Sequence, residues 1–258
     1  MSWAGRRQIT YLSGLFLVIG IVLFAMFYSV IFAPATCGDG KQNGGELGVD
    51  CGGSCQKMCL SQISEPVVLW TRAFPVSGNI YNILAYVENQ NKESAVPMAP
   101  YEFRVYDDKG LLIEKREGST FIPPNQRFAV FEARIDSRGN TPKSVTFEFK
   151  GPFDWYKKKP TILTQPIKIE KISLNEDVNS PLLSGVVVND SIYDLPEFDV
   201  IAIIYDENQK AIAVSKTRKA GVPSDGRVNV SFTWPQAFSG VPAVKDLILS
   251  VNPFTTPF

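Results

Sequence analysis

Val228-Asn229-Val230-Ser231-Phe232-Thr233-Trp234 alternates apolar and polar side chains without interruption. Successive side chains of a strand point to opposite faces, so the pattern predicts a strand with one face on a core and the other in water. Val145-Thr146-Phe147-Glu148-Phe149-Lys150 repeats it. From Glu65 onward, runs of about four to eight such residues are bounded by Gly, Pro, Asn and Asp, the punctuation of an all-β chain. Beyond residue 60 no stretch sustains a helical period of ~3.6 residues, so little helix is expected there.

Working outward from these strands, an internal repeat emerges. Tyr86-Val87-Glu88-Asn89 followed by Tyr101 to Ile113 aligns with Val186-Val187-Val188-Asn189 followed by Phe198 to Ile212, at an offset of about one hundred residues. Both copies continue through a proline turn, Ile122-Pro123-Pro124-Asn125 or Val222-Pro223-Ser224-Asp225, into an alternating strand from Phe128 or Val228. Asp107-Asp108-Lys109-Gly110 and Asp206-Glu207-Asn208-Gln209 have the composition of hairpin turns, with Gly110 suited to a left-handed position. The expected fold class is mainly β: two tandem antiparallel immunoglobulin-like sandwiches, preceded by one transmembrane helix and a small disulfide-rich segment.

The helix is read from residues 9–33, where Leu, Ile, Val, Phe, Gly, Ala and Met are broken only by Thr10, Tyr11, Ser13, Tyr28 and Ser29. At 1.5 Å per residue such a helix covers a hydrocarbon core of about 30 Å. Trp3, Tyr11 and Tyr28 lie near its ends, where amphipathic rings favour the interface, and Pro34 is expected to stop it. Arg6 and Arg7 precede the span and the next basic residue is Lys41, so the positive-inside bias puts residues 1–8 in the cytoplasm and the rest outside. Ala33-Pro34-Ala35 also offers small residues to a signal peptidase, but a cleavable apolar region usually runs only ~7–15 residues.

All four cysteines fall in the following segment, at 37, 51, 55 and 59. An even count beyond a membrane span points to two disulfides, which substitute for a core in a glycine-rich stretch with almost nothing apolar to bury. Four thiolates could alternatively hold zinc, although neighbouring cysteines here enclose three residues and no two-residue knuckle occurs. Asp39, Asn43, Glu46 and Asp50 supply hard oxygens in a window like an EF-hand loop, which makes calcium a candidate cofactor. Lys41 stands at the third position of that loop and Asp50 replaces the bidentate glutamate at the twelfth, so turn-forming Asx residues are the competing explanation. The organisation expected is a stub at 1–8, the span at 9–33, a disulfide-rich stalk at 34–62, and sandwiches at 63–160 and 161–258.

Cys37, Asp39-Gly40, Asn43, Glu46, Gly48, Asp50-Cys51-Gly52-Gly53, Cys55 and Cys59 resemble the C-x-D-G-x-x-N-x-x-E-x-G-x-D-C-G-G-x-C-x-x-C motif of cell-surface proteins, which implies an extracytoplasmic location. Leu183-Ser184-Gly185, Asn189, Val200, Tyr205-Asp206 and Ala213-Val214 resemble the FxLyD-type domain of bacterial and archaeal envelope proteins, with the first copy a weaker match. That resemblance implies a fold and a location, and no shared catalytic activity.

Composition narrows the function classes. Lys+Arg and Asp+Glu each total 26, which leaves no field of one sign to hold nucleic acid. The chain has no histidine, the commonest general base at neutral pH and a frequent ligand of catalytic zinc. No P-loop, dinucleotide fingerprint, nucleophile elbow or metal-binding helix motif occurs, so the chain is not expected to be an enzyme. A membrane-tethered Ser–Lys hydrolase using Ser215-Lys216 is disfavoured, because neighbours on a strand face opposite ways. Trp155-Tyr156-Lys157-Lys158-Lys159 combines aromatics with a basic run that could meet a glycan or lipid head groups, or could be a linker with Trp155 packed between domains. Asn189-Asp190-Ser191 and Asn229-Val230-Ser231 are glycosylation sequons. The function expected is structural display at the cell envelope, with the lipid bilayer and an envelope protein or glycan as partners. A calcium- or glycan-binding adhesin is the alternative.

Overall fold

A helix that is apolar on every side has no face to turn toward a soluble core. In the computed structural model, α1 (Trp3–Ile31) is such a helix, its described side chains almost all exposed. It begins at Trp3 and so carries Arg6 and Arg7, because good helix formers such as Ala4, Arg6, Arg7 and Gln8 extend a helix past its apolar part. By length and composition it can cross a membrane. The structure describes residues 3–31, 35–160, 166–175 and 180–255, and the expected stop at Pro34 and the Ala33-Pro34 peptidase site lie outside them. The chain divides into two compact units, residues 1–55 and 56–258. In the first, turns after α1 are tied by a Cys37–Cys55 disulfide. No cysteine is free, and Cys51 and Cys59 are also disulfide-bonded.

The second unit is built of antiparallel strands. Its first half contains β1 (Val67–Ser77), β2 (Ile80–Asn89), β3 (Ser94–Tyr106), β4 (Leu112–Ile122), β5 (Gln126–Asp136), β6 (Ser144–Phe149) and the short β7 (Tyr156–Lys157). Its second half contains β8 (Ile167–Asn175), β9 (Leu182–Asn189), β10 (Phe198–Tyr205), β11 (Ala211–Lys219), β12 (Arg227–Thr233) and β13 (Val244–Ser250). Sheets ordered β1-β2-β5 and β4-β3-β6 enclose one core, with β7 added to β3, and sheets ordered β12-β9-β8 and β11-β10-β13 enclose another. Strand order is therefore the same in both halves. Among the described residues, the helical content beyond residue 60 is one 3-10 turn, Leu60–Gln62.

The halves also share their polar joints. Asn89 and Asn189, both buried, end β2 and β9 and donate through Nδ2 to the carbonyls of Pro123 (2.7 Å) and Pro223 (3.0 Å). In the hairpins, Asp107 Oδ1 accepts from the N–H groups of Lys109 and Leu111, and Asp206 Oδ1 from those of Asn208 and Lys210. Gly110 takes the expected left-handed position (φ 76°), and Gln209 occupies the equivalent one (φ 58°).

What the alternation pattern leaves unsaid is that the halves stack on each other. Ile83, Ala85 and Val87 of β2 point into the first core, while Leu84 and Tyr86 point the other way. Likewise Val200, Ala202 and Ile204 of β10 point into the second core while Ile201 and Ile203 point outward. These outward residues meet with Phe74, Ala129, Ala211 and Val214 in a third apolar layer between sheets β1-β2-β5 and β11-β10-β13. A strand with both faces covered loses its alternation and becomes continuously apolar, as Val200 to Ile204 is. Among the described residues the result is four sheets with three apolar layers between them.

Register explains why the stacking stops at two sandwiches. Pairing Tyr106 with Leu112 and Tyr205 with Ala211 makes Glu102 and Arg104 of β3 the counterparts of Ile201 and Ile203. Lys115, Glu148 and Thr146 then correspond to Val214, Ile248 and Asp246. On the other side, Leu84, Phe131 and Ala129 correspond to Ser184, Ser231 and Asn229. Each half thus has one polar and one apolar outer face, and the two apolar faces meet. Glu102 lies on the polar face under the basic side chains of Arg104, Lys115 (2.8 Å) and Lys150 (3.6 Å), and the Lys115 ammonium chiefly holds its carboxyl below the usual range.

Candidate functional site

The residues proposed for calcium organise their own loop. Asp50 accepts from the Gly40 N–H through both carboxylate oxygens (3.1 and 3.0 Å). Asp39 accepts from the Lys41 N–H (2.9 Å) and Asn43 Nδ2 (2.8 Å), and these bonds, Asn43's first, hold its carboxyl low. Glu46 Oε2 accepts from the N–H groups of Asn43 and Asp50, and its Oε1 lies 3.2 Å from the Cys55 sulfur, which has no proton to donate in a disulfide. Four carboxylate and amide side chains therefore spend their polar atoms largely on closing turns around the Cys37–Cys55 bridge. That sulfur, being oxidised, is no thiolate ligand for zinc.

The aromatic–basic segment differs from both expectations for it. Trp155 is 3% exposed in the first core, so it does not pack between domains and presents only a sliver of its surface. Its carbonyl accepts from the Met58 N–H (2.8 Å), and the Lys157 N–H donates to the Gln56 carbonyl (2.8 Å). Tyr156 and Lys157 form β7 against Ser94 and Ala95, and the Lys158 ammonium stands 5.5 Å from the Phe254 ring. Lys159 follows β7 as an exposed residue. Residues 56–63, expected in the stalk, are thereby fastened to the first sandwich, with Met58 and Ile63 against its core.

Lys216 is an exposed residue 3.5 Å from Asp199 and 5.5 Å from the Phe131 ring, on the face of β11 that also carries Val214, while its neighbour Ser215 faces the opposite way. Asn189 is fully enclosed with its amide engaged, whereas Asn229 is exposed on the outer face of β12.

Two features had no motif to announce them. One is the layer between the sandwiches, where Trp70 packs on Tyr86 and Tyr205 (ring centroids 5.5 and 6.4 Å) and Arg72 donates to the Ala211 carbonyl (2.6 Å). Asp246 sits in it opposite Ile203. Burial raises the Asp246 carboxyl above its usual range, against a smaller opposing pull from Arg127, which is itself bound by Glu88 at 3.1 Å. The same burial pushes up the phenols of Tyr86 and Tyr205, helped by the Asp246 charge. A carboxyl raised on folding penalises the fold above its folded pKa and costs nothing below its unfolded value of 3.8. Asp246→Asn should therefore raise the melting temperature at about pH 7, with the gap closing as the pH falls toward 4. Thermal scans across that interval test this, and a gap independent of pH would refute it.

The other feature is a groove of about 670 Å³ beside β6. Ile63, Pro66 and Val68 line it together with Phe149, Phe153 and Trp155. Glu65 and Glu148, both exposed, are its acidic lining residues. Phe149 and Phe153 meet edge to face (5.7 Å), which gives the aromatic lining a fixed shape.

No family model matches the chain, and no curated protein matches it. Among solved structures, a red sea bream transglutaminase aligns over 73% of this chain at 11% identity and a TM-score of 0.24. The aligned chain spans 31% of that protein's length. A chaperone–tip adhesin complex of CFA/I fimbriae aligns over 67% of this chain and 99% of its own at 14% identity and a TM-score of 0.18. Likenesses at this level say nothing about activity.

Proposed function

We propose that the chain is a single-pass membrane protein that displays two immunoglobulin-like sandwiches, products of a tandem duplication, outside the cell for contact with another envelope component. Its action is display rather than catalysis. The observation that carries this is α1, long, apolar and with its described side chains almost all exposed, on a chain whose four cysteines are all in disulfides. Arg6 and Arg7 ahead of the span favour a cytoplasmic N-terminus. The duplication is supported by the common strand order and by Asn89 and Asn189 in the same role. The stacked halves favour presentation as one body, since an apolar layer holds their orientation.

The test is a mass-spectrometric thiol count on protein extracted from membranes without reductant, with and without protease applied from outside. Four blocked cysteines and a body removed by external protease are expected. Free thiols together with a body shielded from external protease would refute the topology.

A further inference from the structure

The strand β6 borders the groove with an edge that β1 meets at Val145, through Thr71, and leaves open toward Phe149. It is hydrogen-bonded to β3 on one side, and among the described residues no strand pairs with it on the other. The phase of the ladder is fixed at both ends. The Lys150 N–H donates to the Pro100 carbonyl, continuing the β3 side, while the Val145 carbonyl is turned away and accepts from Thr71 Oγ1. In an antiparallel strand the N–H and C=O of one residue point the same way, and alternate residues point oppositely. Phe147 and Phe149 therefore direct their N–H and C=O groups to the open side, into an apolar, aromatic-walled groove.

Unpaired main-chain groups in apolar surroundings call for a ligand with main-chain groups of its own, because a hydrocarbon cannot satisfy them. The acidic lining residues narrow it further. Glu148 is already neutralised by Lys150 (2.5 Å) and Arg104 (3.5 Å), whereas Glu65 is exposed and has no ion pair among the described residues. We propose that this edge is a docking site for an extended segment of a second envelope protein, added to β6 as a further strand. Its apolar side chain sits among Phe149, Phe153 and Trp155, and a basic residue lies beside Glu65. The inference rests on the display function above and names the contact that display would make.

The test uses the full chain in lipid nanodiscs and an acetylated, amidated peptide Lys-Val-Thr-Val-Thr-Val, alongside the same peptide N-methylated at alternate residues. Methylation removes strand hydrogen bonds and keeps the side chains. Amide exchange at Phe147 and Phe149 should slow at least ~10-fold with the first peptide and stay unchanged with the second. Val68→Lys, at a partly exposed wall position, should abolish the protection without lowering the melting temperature, and Glu65→Gln should weaken it. Unchanged exchange at millimolar peptide overturns the proposal. Equal binding of the methylated peptide also overturns it, since the groove would then be a site for small apolar molecules. Both outcomes are separable from the display function, which the protease and thiol experiment tests independently.

Discussion

Replacing Ile201 and Ile203 by Glu and Arg, the residues that β3 carries at the same register, is expected to uncouple the two sandwiches while leaving each one folded. Ile201 is 2% and Ile203 0% exposed, and both point into the layer against Leu84 and Phe74. Fully burying an isoleucine is worth about 1.5–3 kcal/mol, so the double change removes on the order of 4 kcal/mol before any cost of placing charges opposite Trp70 and Tyr86. The neighbouring side chains Val200, Ala202 and Ile204 stay in the second core, because alternate residues of β10 serve different layers. Calorimetry should therefore change from one cooperative transition to two, with the altered half melting first. Trp70→Ala, a truncation that adds no charge, should move the same way by a smaller amount. A single transition at an unchanged temperature in both variants would mean that the layer contributes nothing to coupling.

How much of this was legible from sequence depends on what each residue has to satisfy. A strand with one wet face announces itself, and β6 and β12 lie where Val145 to Phe149 and Val228 to Thr233 alternate. The hairpin aspartates were equally plain, since their side chains bond only to N–H groups two and four residues away. The stacking was written less openly. Ile201 and Ile203 read as ordinary apolar strand residues, and only the contrast with Glu102 and Arg104 at the same register of the first half reveals that one outer face is covered and the other is wet. Trp155 was expected between domains or at a surface because it lies between the repeats beside Lys157 to Lys159, whereas it belongs to the first core, against which Met58 and Ile63 pack from almost a hundred residues upstream. The groove had no local signal at all. It depends on the phase of the β6 ladder, and a hydrogen-bond phase leaves no trace in side-chain chemistry.

Asn189 is the position where a single small change should cost the second sandwich most. It is fully buried at the end of β9, and its Nδ2 donates to three carbonyls, those of Tyr193 (2.8 Å), Val222 (3.1 Å) and Pro223 (3.0 Å). Its Oδ1 accepts from the Ser191 N–H (3.1 Å) and hydroxyl (2.6 Å). One side chain thus ties together main-chain groups of two separate loops, adding a donor to carbonyls that also accept from the Leu195 N–H, the Gly226 N–H and the Ser191 hydroxyl. Removing it in Asn189→Ala deletes these bonds together, leaves the Ser191 N–H without its acceptor, and should cost about 3 kcal/mol by chemical denaturation at roughly 1 kcal/mol for each of several lost bonds. Asn189→Asp keeps the shape and separates the two contributions. Near neutral pH the carboxylate has no proton to give three carbonyl oxygens and adds a buried charge, so it should be at least as damaging as alanine. On acidification the protonated acid regains one donor, and stability relative to alanine should recover. If aspartate matched the wild type near pH 7, the side chain would be acting only through its size, and the hydrogen-bond account of this joint, together with that of Asn89 in the first sandwich, would fail.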